Sequence, residues 1–202
     1  MSNKALKAYD NPHFLHSKEA RTLRILSEYI EPEKRFKDLN IYHTVIFFGS
    51  ARTEPDHKHY KMADELAYKL VELSNKIEEK TKEKFYICTG GGPGIMEAAN
   101  KGAARANGKT IGLNISLPFE QDPNPYITPE LNFEFHYFFM RKLWFLYQAK
   151  AIILFPGGFG TLDELFETLT LIQTRKLEKM GIPVLLYDSE FWNDLINFDK
   201  LK

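Results

Sequence analysis

The sequence predicts an α/β protein built as a Rossmann-like, doubly wound parallel sheet with helices on both faces. Three observations carry this expectation. Short, continuously apolar runs alternate with longer segments of helical period along most of the chain. The runs lack the in–out alternation of a half-solvated sheet, so both of their faces are expected to be buried, as in parallel sheets whose crossovers cover both sides. Three of them end in glycine, at the sheet edge where such folds bind ligands.

The first segment, SKEARTLRILSEYI (17–30), places Leu23, Leu26 and Ile30 at helical spacing behind a Ser17 cap and is expected to stop near Pro32. It reads as a packing appendage, so residues 1–40 form an N-terminal helical extension and 41–202 a single Rossmann-like domain. Within that domain TVIFFGS (44–50) reads as a strand ending in glycine and HYKMADELAYKLVELSNKIEEK (59–80) as a helix. FYICTGGG (85–92) is a second strand breaking into glycines, GIMEAANKGAARA (94–106) a helix, and KTIGLNISL (109–117) a third strand. FEFHYFF (133–139) holds a fourth strand and MRKLWFLYQAK (140–150) a helix. AIILF (151–155) is a buried strand, TLDELFETLTLIQTRKLEKM (161–180) a helix and IPVLLYD (182–188) the last strand. One stretch breaks the alternation. PFEQDPNPYITP (118–129) has four prolines in twelve residues, which excludes a helix and reads either as a lid or as a rigid surface connection.

Bulk composition narrows the function classes. Lysine plus arginine equals aspartate plus glutamate, 27 each in 202 residues, so no global basic field recruits nucleic acid or an anionic membrane. Cys88 is the only cysteine, which rules out an intrachain disulfide and suits a reducing compartment. No apolar run approaches the roughly twenty residues of a membrane span, and the first residues lack a signal-type apolar stretch. The expectation is a soluble, cytoplasmic protein with no nucleic-acid or membrane partner. His57 and His59 have no further ligand at zinc spacing, His136 reads as a core or interface residue, and Cys88 as inert core.

The chemistry is expected at the glycines. FFGS (47–50), TGGGPG (89–94) and PGGFGT (156–161) all reach the carboxyl edge of the sheet, where free N–H groups of a following helix bind anions. Together they predict a phosphate-bearing ligand. TGGGPGIM lacks the Gly-Lys-Ser/Thr ending of a nucleoside triphosphate loop, and its glycine spacing departs from the dinucleotide fingerprint. Thr161 with Glu164 three residues on has the form of a capping box, and Asp163 that of an acid in a first helical turn. A capping box needs no glycines, however. The alternative is that Glu164 faces the anomeric carbon of a phosphorylated sugar. Arg141 and Lys142 begin a helix leading into AIILF, where the helix dipole disfavours cations, and that conflict at a site edge marks them as site residues rather than a bridge to Glu134.

GGGPGIMEAAN, the MRK at 140–142 and PGGFGTLDEL resemble the signature of the Lonely Guy family of cytokinin-activating phosphoribohydrolases, long labelled possible lysine decarboxylases. The resemblance covers roughly residues 41 to 200. It implies a Rossmann-like homodimer or higher homo-oligomer that hydrolyses the N-glycosidic bond of nucleoside 5′-monophosphates to the free base and ribose 5-phosphate. It implies Arg141 and Glu164 as catalytic residues and Gly157, Gly158, Gly160 and Thr161 as the phosphate loop. Ser50, Gly91, Gly92, Gly94, Met140 and Lys142 complete the implied substrate pocket, and no metal or organic cofactor is required. Tyr137, Phe138, Phe139 and Met140 replace the Ser-Met-His-x that precedes Arg-Lys in the plant-type enzymes, and Glu97 stands where they carry a small residue. The longer N-terminus and the segment GLNISLPFEQDPNPY look more like the longer bacterial subgroup, and these differences together favour adenosine monophosphate or a similar purine nucleotide over a cytokinin riboside monophosphate. A decarboxylase would need a Schiff-base lysine, and no lysine stands out for that role. The rival reading is a non-catalytic carrier of a phosphorylated cofactor, like the molybdenum cofactor carriers, which has no use for Glu164 beside Arg141.

Overall fold

A computed structural model describes residues 5–117, 122–176 and 181–201. The first four residues of the Pro-rich stretch and the last four expected for the 161–180 helix lie outside the described residues. Six parallel strands form one sheet in the order β4-β3-β2-β1-β5-β6. They are β1 (Thr44–Phe48), β2 (Tyr86–Thr89), β3 (Thr110–Ile115), β4 (Asn132–Phe135), β5 (Ala149–Leu154) and β6 (Val184–Leu186). The helices are α1 (Pro12–Leu15), α2 (Arg21–Asp38), α3 (Lys58–Thr81), α4 (Ile95–Arg105), α5 (Phe138–Tyr147), α6 (Phe159–Gln173) and α7 (Ser189–Leu195).

The pleat divides the core into two. Val45 and Phe47 of β1 face the layer made by α3 and α4, packed through Ala63, Ala67, Ala98 and Ala103. Ile46 and Phe48 face the other layer, where Phe36 of α2, Trp144 and Phe145 of α5, Leu165 of α6 and Trp192 of α7 meet. All five residues of β1 are buried, as a central parallel strand requires. The doubly wound expectation is therefore correct, with every expected strand found.

Several boundaries and faces differ from expectation, each for a physical reason. α2 runs straight through Pro32 to Asp38. Proline has no N–H for the Glu28 carbonyl four residues back, but the Trp144 indole N–H donates to that carbonyl at 3.0 Å, so the helix continues without an orphaned acceptor. The buried face of α2 is Ile25, Tyr29, Pro32 and Phe36, whereas Leu23, Leu26 and Ile30 are exposed. α7 was not anticipated; Asp188, at φ 70°, caps it by accepting from Phe191 N. β5 begins two residues earlier than expected. His136 is exposed rather than core, its N–H donating to Glu28 Oε1 at 2.8 Å. Cys88 is buried, and burial raises its thiol pKa.

Candidate active site

Growth of the sheet reverses between β1 and β5: the chain adds β2, β3 and β4 on one side of β1, then returns to place β5 on the other. At this switch point the carboxyl ends of adjacent strands lead to opposite faces and leave a crevice. A cavity of about 570 Å3 opens there, a size suited to a small metabolite. The β1 turn, residues 48–52, forms one wall, and Gly158 to Thr161 with Glu164 form the opposite one. Arg141 and Phe145 of α5 close the third side, with Gly90 and Met96.

The β5 wall is built to receive an anion. α6 starts at Phe159 with Gly158 as its cap, and no side chain caps it. The first N–H to bond within the helix is that of Leu162, to Gly158 O at 3.1 Å, so the N–H groups of Phe159, Gly160 and Thr161 form the open positive end of the helix dipole. A Cβ added at Gly158 or Gly160 would meet nothing within 4 Å, so the wall there is bare backbone facing open space. At Gly157 the added Cβ would instead fall on the Thr161 side chain.

The capping box is not formed. Because the helix begins two residues before Thr161, Glu164 lies in its second turn and points inward. The residue is only 6 % exposed, yet it lines the cavity. Its carboxylate stands 3.9 Å from Arg141 Nη2. Burial pushes the Glu164 pKa up to about 7, against the opposing pull of the Arg141 and Lys142 charges. Burial likewise lowers the Arg141 pKa, countered chiefly by Glu164. The guanidinium lies between the Phe138 and Phe145 rings, with its carbon 5.3 and 5.6 Å from their centroids. Among the described residues its buried Nε has no hydrogen-bond partner.

The structure brings Ser50, Arg141, Gly158, Gly160, Thr161 and Glu164 to one cavity. The other candidates do not line it. Lys142 turns to α6, with Nζ 2.8 Å from Asp163 and 2.9 Å from Glu167. Asp163 is thus in the second turn as an ion-pair partner rather than in the first as a dipole acid. Met140 is buried in the core cluster. Gly94, at φ +69°, packs where a Cβ would overlap the Ser50 carbonyl, and Gly91, at φ +77°, packs against the Asn114 amide. Glu97 accepts from the Tyr60 hydroxyl at 2.8 Å and does not line the cavity.

Sequence reasoning missed Arg52, Met96 and Phe159 in the cavity wall, which also holds Gly90 of the TGGGPG loop and Phe145 of an α5 aromatic cluster that the sequence marks chiefly as core or subunit contact. Phe159 sits inside a glycine loop already singled out and Arg52 lies two residues past another, so their position carried a signal. Phe159 is 93 % exposed, at the mouth. His59, left without a role, bonds Asp188 Oδ2 through Nε2 at 2.8 Å, and His57 Nδ1 accepts from His59 N. No helix among the described residues is long and apolar enough to cross a membrane.

Comparison with known proteins agrees with this architecture. A pyrimidine/purine nucleotide 5′-monophosphate nucleosidase of Escherichia coli (strain K12) is 33 % identical over 113 residues, 50 % of this chain. That alignment spans only 23 % of the relative's length. The solved structure of TM1055 superposes with a TM-score of 0.51 at 24 % identity, covering 76 % of this chain and 79 % of that one. The molybdenum cofactor binding protein from Rippkaea orientalis gives 0.52 at 21 % identity, covering 78 % and 83 %. At these identities the two structures show the shared fold. The family model described as possible lysine decarboxylase matches residues 96–201, more than half of the chain and including both the α5 arginine and the glycine loop before α6, and the chain belongs to this family, the Lonely Guy family.

Proposed function

We infer that the chain hydrolyses the N-glycosidic bond of purine nucleoside 5′-monophosphates, with adenosine monophosphate as the favoured substrate over cytokinin riboside monophosphates. The observation that carries this reading is the buried Glu164–Arg141 pair, set in one cavity with an uncapped, glycine-lined helix N-terminus. The 5′-phosphate would sit on the free N–H groups of Phe159, Gly160 and Thr161, where the dipole favours negative charge. Arg141, with an unsatisfied Nε and a guanidinium held between two rings, would orient the nucleotide. Ser50 would complete the floor.

As the bond from C1′ to the base nitrogen breaks, its electron pair leaves with the base and positive charge builds on C1′ and the ring oxygen. Ionised Glu164 would stabilise that charge and take a proton from a water whose oxygen forms the new bond to C1′. The departing base regains a proton from solvent. A carboxyl pKa of about 7 suits this task, since the group is divided between acid and base at neutral pH. Lys142 would act from behind, holding Asp163 and Glu167 on α6 rather than touching the phosphate. Among the described residues no lysine lines the cavity, so lysine-anchored decarboxylation has no support there. No organic cofactor or metal enters the proposed reaction.

The nucleosidase relative supports the nucleotide substrate, and the shared fold of the molybdenum cofactor binding protein keeps a carrier as the rival reading. A carrier gains nothing from burying a carboxyl beside an arginine, which favours the enzyme. The protein is further proposed to be a homodimer or higher homo-oligomer. Exposed Phe139, Leu143 and Tyr147 on α5 and Leu23, Leu26 and Ile30 on the adjoining α2 support this as an apolar self-contact. Light scattering on the purified chain would test the assembly. Incubation with adenosine monophosphate, followed by chromatography for adenine and ribose 5-phosphate, tests the activity; Glu164→Gln is expected to bind nucleotide and release no base.

A further inference from the structure

The reaction above makes no use of the Pro-rich stretch, yet its described part engages the second glycine loop closely. Asn124 is 6 % exposed, and its backbone N–H donates to Gly91 O at 2.8 Å. Its side-chain Nδ2 lies 3.0 Å from Gly91 O, 3.1 Å from Gly92 O and 2.9 Å from Asn100 Oδ1, sharing two hydrogens among three acceptors. Its Oδ1 accepts from Tyr126 N at 3.2 Å, closing a local turn that fixes the amide's orientation.

The network continues beneath the loop. Asn100, fully buried on α4, accepts from the Thr89 hydroxyl at 2.7 Å and donates to Thr110 Oγ1. The Thr89 oxygen in turn accepts from Gly91 N at 2.9 Å. The shape of residues 89–92 is thus dictated from below by a satisfied buried network. Because a trans peptide holds its C=O and N–H antiparallel, anchoring the Gly91 carbonyl to Asn124 turns the Gly92 N–H away from the network. That N–H meets no acceptor among the described residues.

The loop is also coupled to the cavity walls. Gly90 lines the cavity itself. Just beyond Gly94, Ile95 N donates to Ser50 O at 3.1 Å, and Ser50 N donates to Pro156 O at 3.1 Å. Asn124 therefore stands at one end of a series of bonds joining all three glycine loops.

We propose that Asn124 is a positioning residue for nucleotide binding: it latches residues 122–129 to the 89–94 loop and holds that loop in its ligand-receiving shape. This rests on the nucleoside monophosphate reading of the cavity. An interaction made equally in the bound ground state and the transition state changes KM and leaves kcat alone, which separates the role from catalysis.

The test compares Asn124→Ala and Asn124→Asp in the full chain; aspartate keeps the shape but turns oxygens toward the Gly91 and Gly92 carbonyls. Adenosine monophosphate KM is expected to rise roughly 10-fold or more, the effect of losing buried hydrogen bonds, with kcat within about 3-fold. The same loss is expected in the dissociation constant measured by calorimetry in a Glu164→Gln background, where no turnover intervenes. An unchanged KM and dissociation constant in folded variants would overturn the proposal, as would a loss confined to kcat. Absence of base release by the wild-type chain would sink the hydrolase reading, while the calorimetric comparison would still judge the latch. If neither variant folds, 15N-labelled wild-type protein decides: the 90–92 amide resonances are expected to shift on titration with adenosine monophosphate, and unmoved resonances would overturn the proposal.

Discussion

Glu164→Gln should make the protein more stable and do so only above a defined pH. The unfolded chain releases this proton near 4.5, whereas burial holds it in the folded chain until about 7. Between those values the folded state binds more protons than the unfolded one, so stability falls as pH rises through the window and then levels off. At 1.36 kcal/mol per pKa unit, the displacement from 4.5 to about 7 corresponds to a loss on the order of 3 kcal/mol. Only 6 % of the residue is exposed, so little of that is screened by solvent. Glutamine keeps the shape without the ionisation. Urea denaturation of both proteins at steps from pH 4.5 to 8 should show curves that nearly coincide at the acid end. By pH 7.5 the variant should lead by about 3 kcal/mol, with no further divergence. A difference that stays constant across the range would refute the claim that Glu164 is held protonated by burial.

Three other outcomes follow from the same geometry. The acid limb of kcat/KM should turn near pH 7, since only the ionised carboxylate takes the water proton, and Glu164→Gln should show no detectable base release at any pH, a loss of at least roughly 100-fold. Arg141→Ala should lower kcat/KM at least about 100-fold, whereas Lys142→Met should cost less than about 10-fold, because Lys142 spends its donors on Asp163 and Glu167; steady-state kinetics on both variants separates these roles. Gly160→Ala should raise folding stability by up to about 1 kcal/mol, as alanine is the better helix former and its methyl meets nothing within 4 Å, yet weaken adenosine monophosphate binding by intruding on the phosphate; calorimetry and urea titration read the two effects.

What was legible in the sequence followed local pattern, and what was not depended on contacts between distant elements. TVIFF and AIILF announced buried parallel strands because a strand covered on both faces has no polar side to show. The glycine runs marked the sheet edge for the same local reason. Capping grammar misled at Thr161: with Gly158 as the cap, the helix gained two residues and the Glu164 side chain turned into the cavity. Local rules likewise ended α2 at Pro32, because the indole that satisfies the Glu28 carbonyl lies on α5. Lys142 read as a substrate-pocket residue beside Arg141, but one residue along a helix is about 100° of rotation, enough to aim it at α6 instead. Met96 and Phe145 have helix-face spacing indistinguishable from core, and only the packing of α4 and α5 onto one edge brings them to the cavity. Arg52 could have been read from its place three residues past Gly49.

The central claim is that this cavity breaks the bond between a nucleotide's base and its ribose. Direct measurement of products from adenosine monophosphate by purified wild-type chain and by Glu164→Gln tests it at the bond itself. Equimolar adenine and ribose 5-phosphate from the wild type, and neither from the variant despite retained nucleotide binding, is the result expected. Nucleotide bound by both and cleaved by neither, across purine and pyrimidine monophosphates, would contradict it and assign the cavity to carriage.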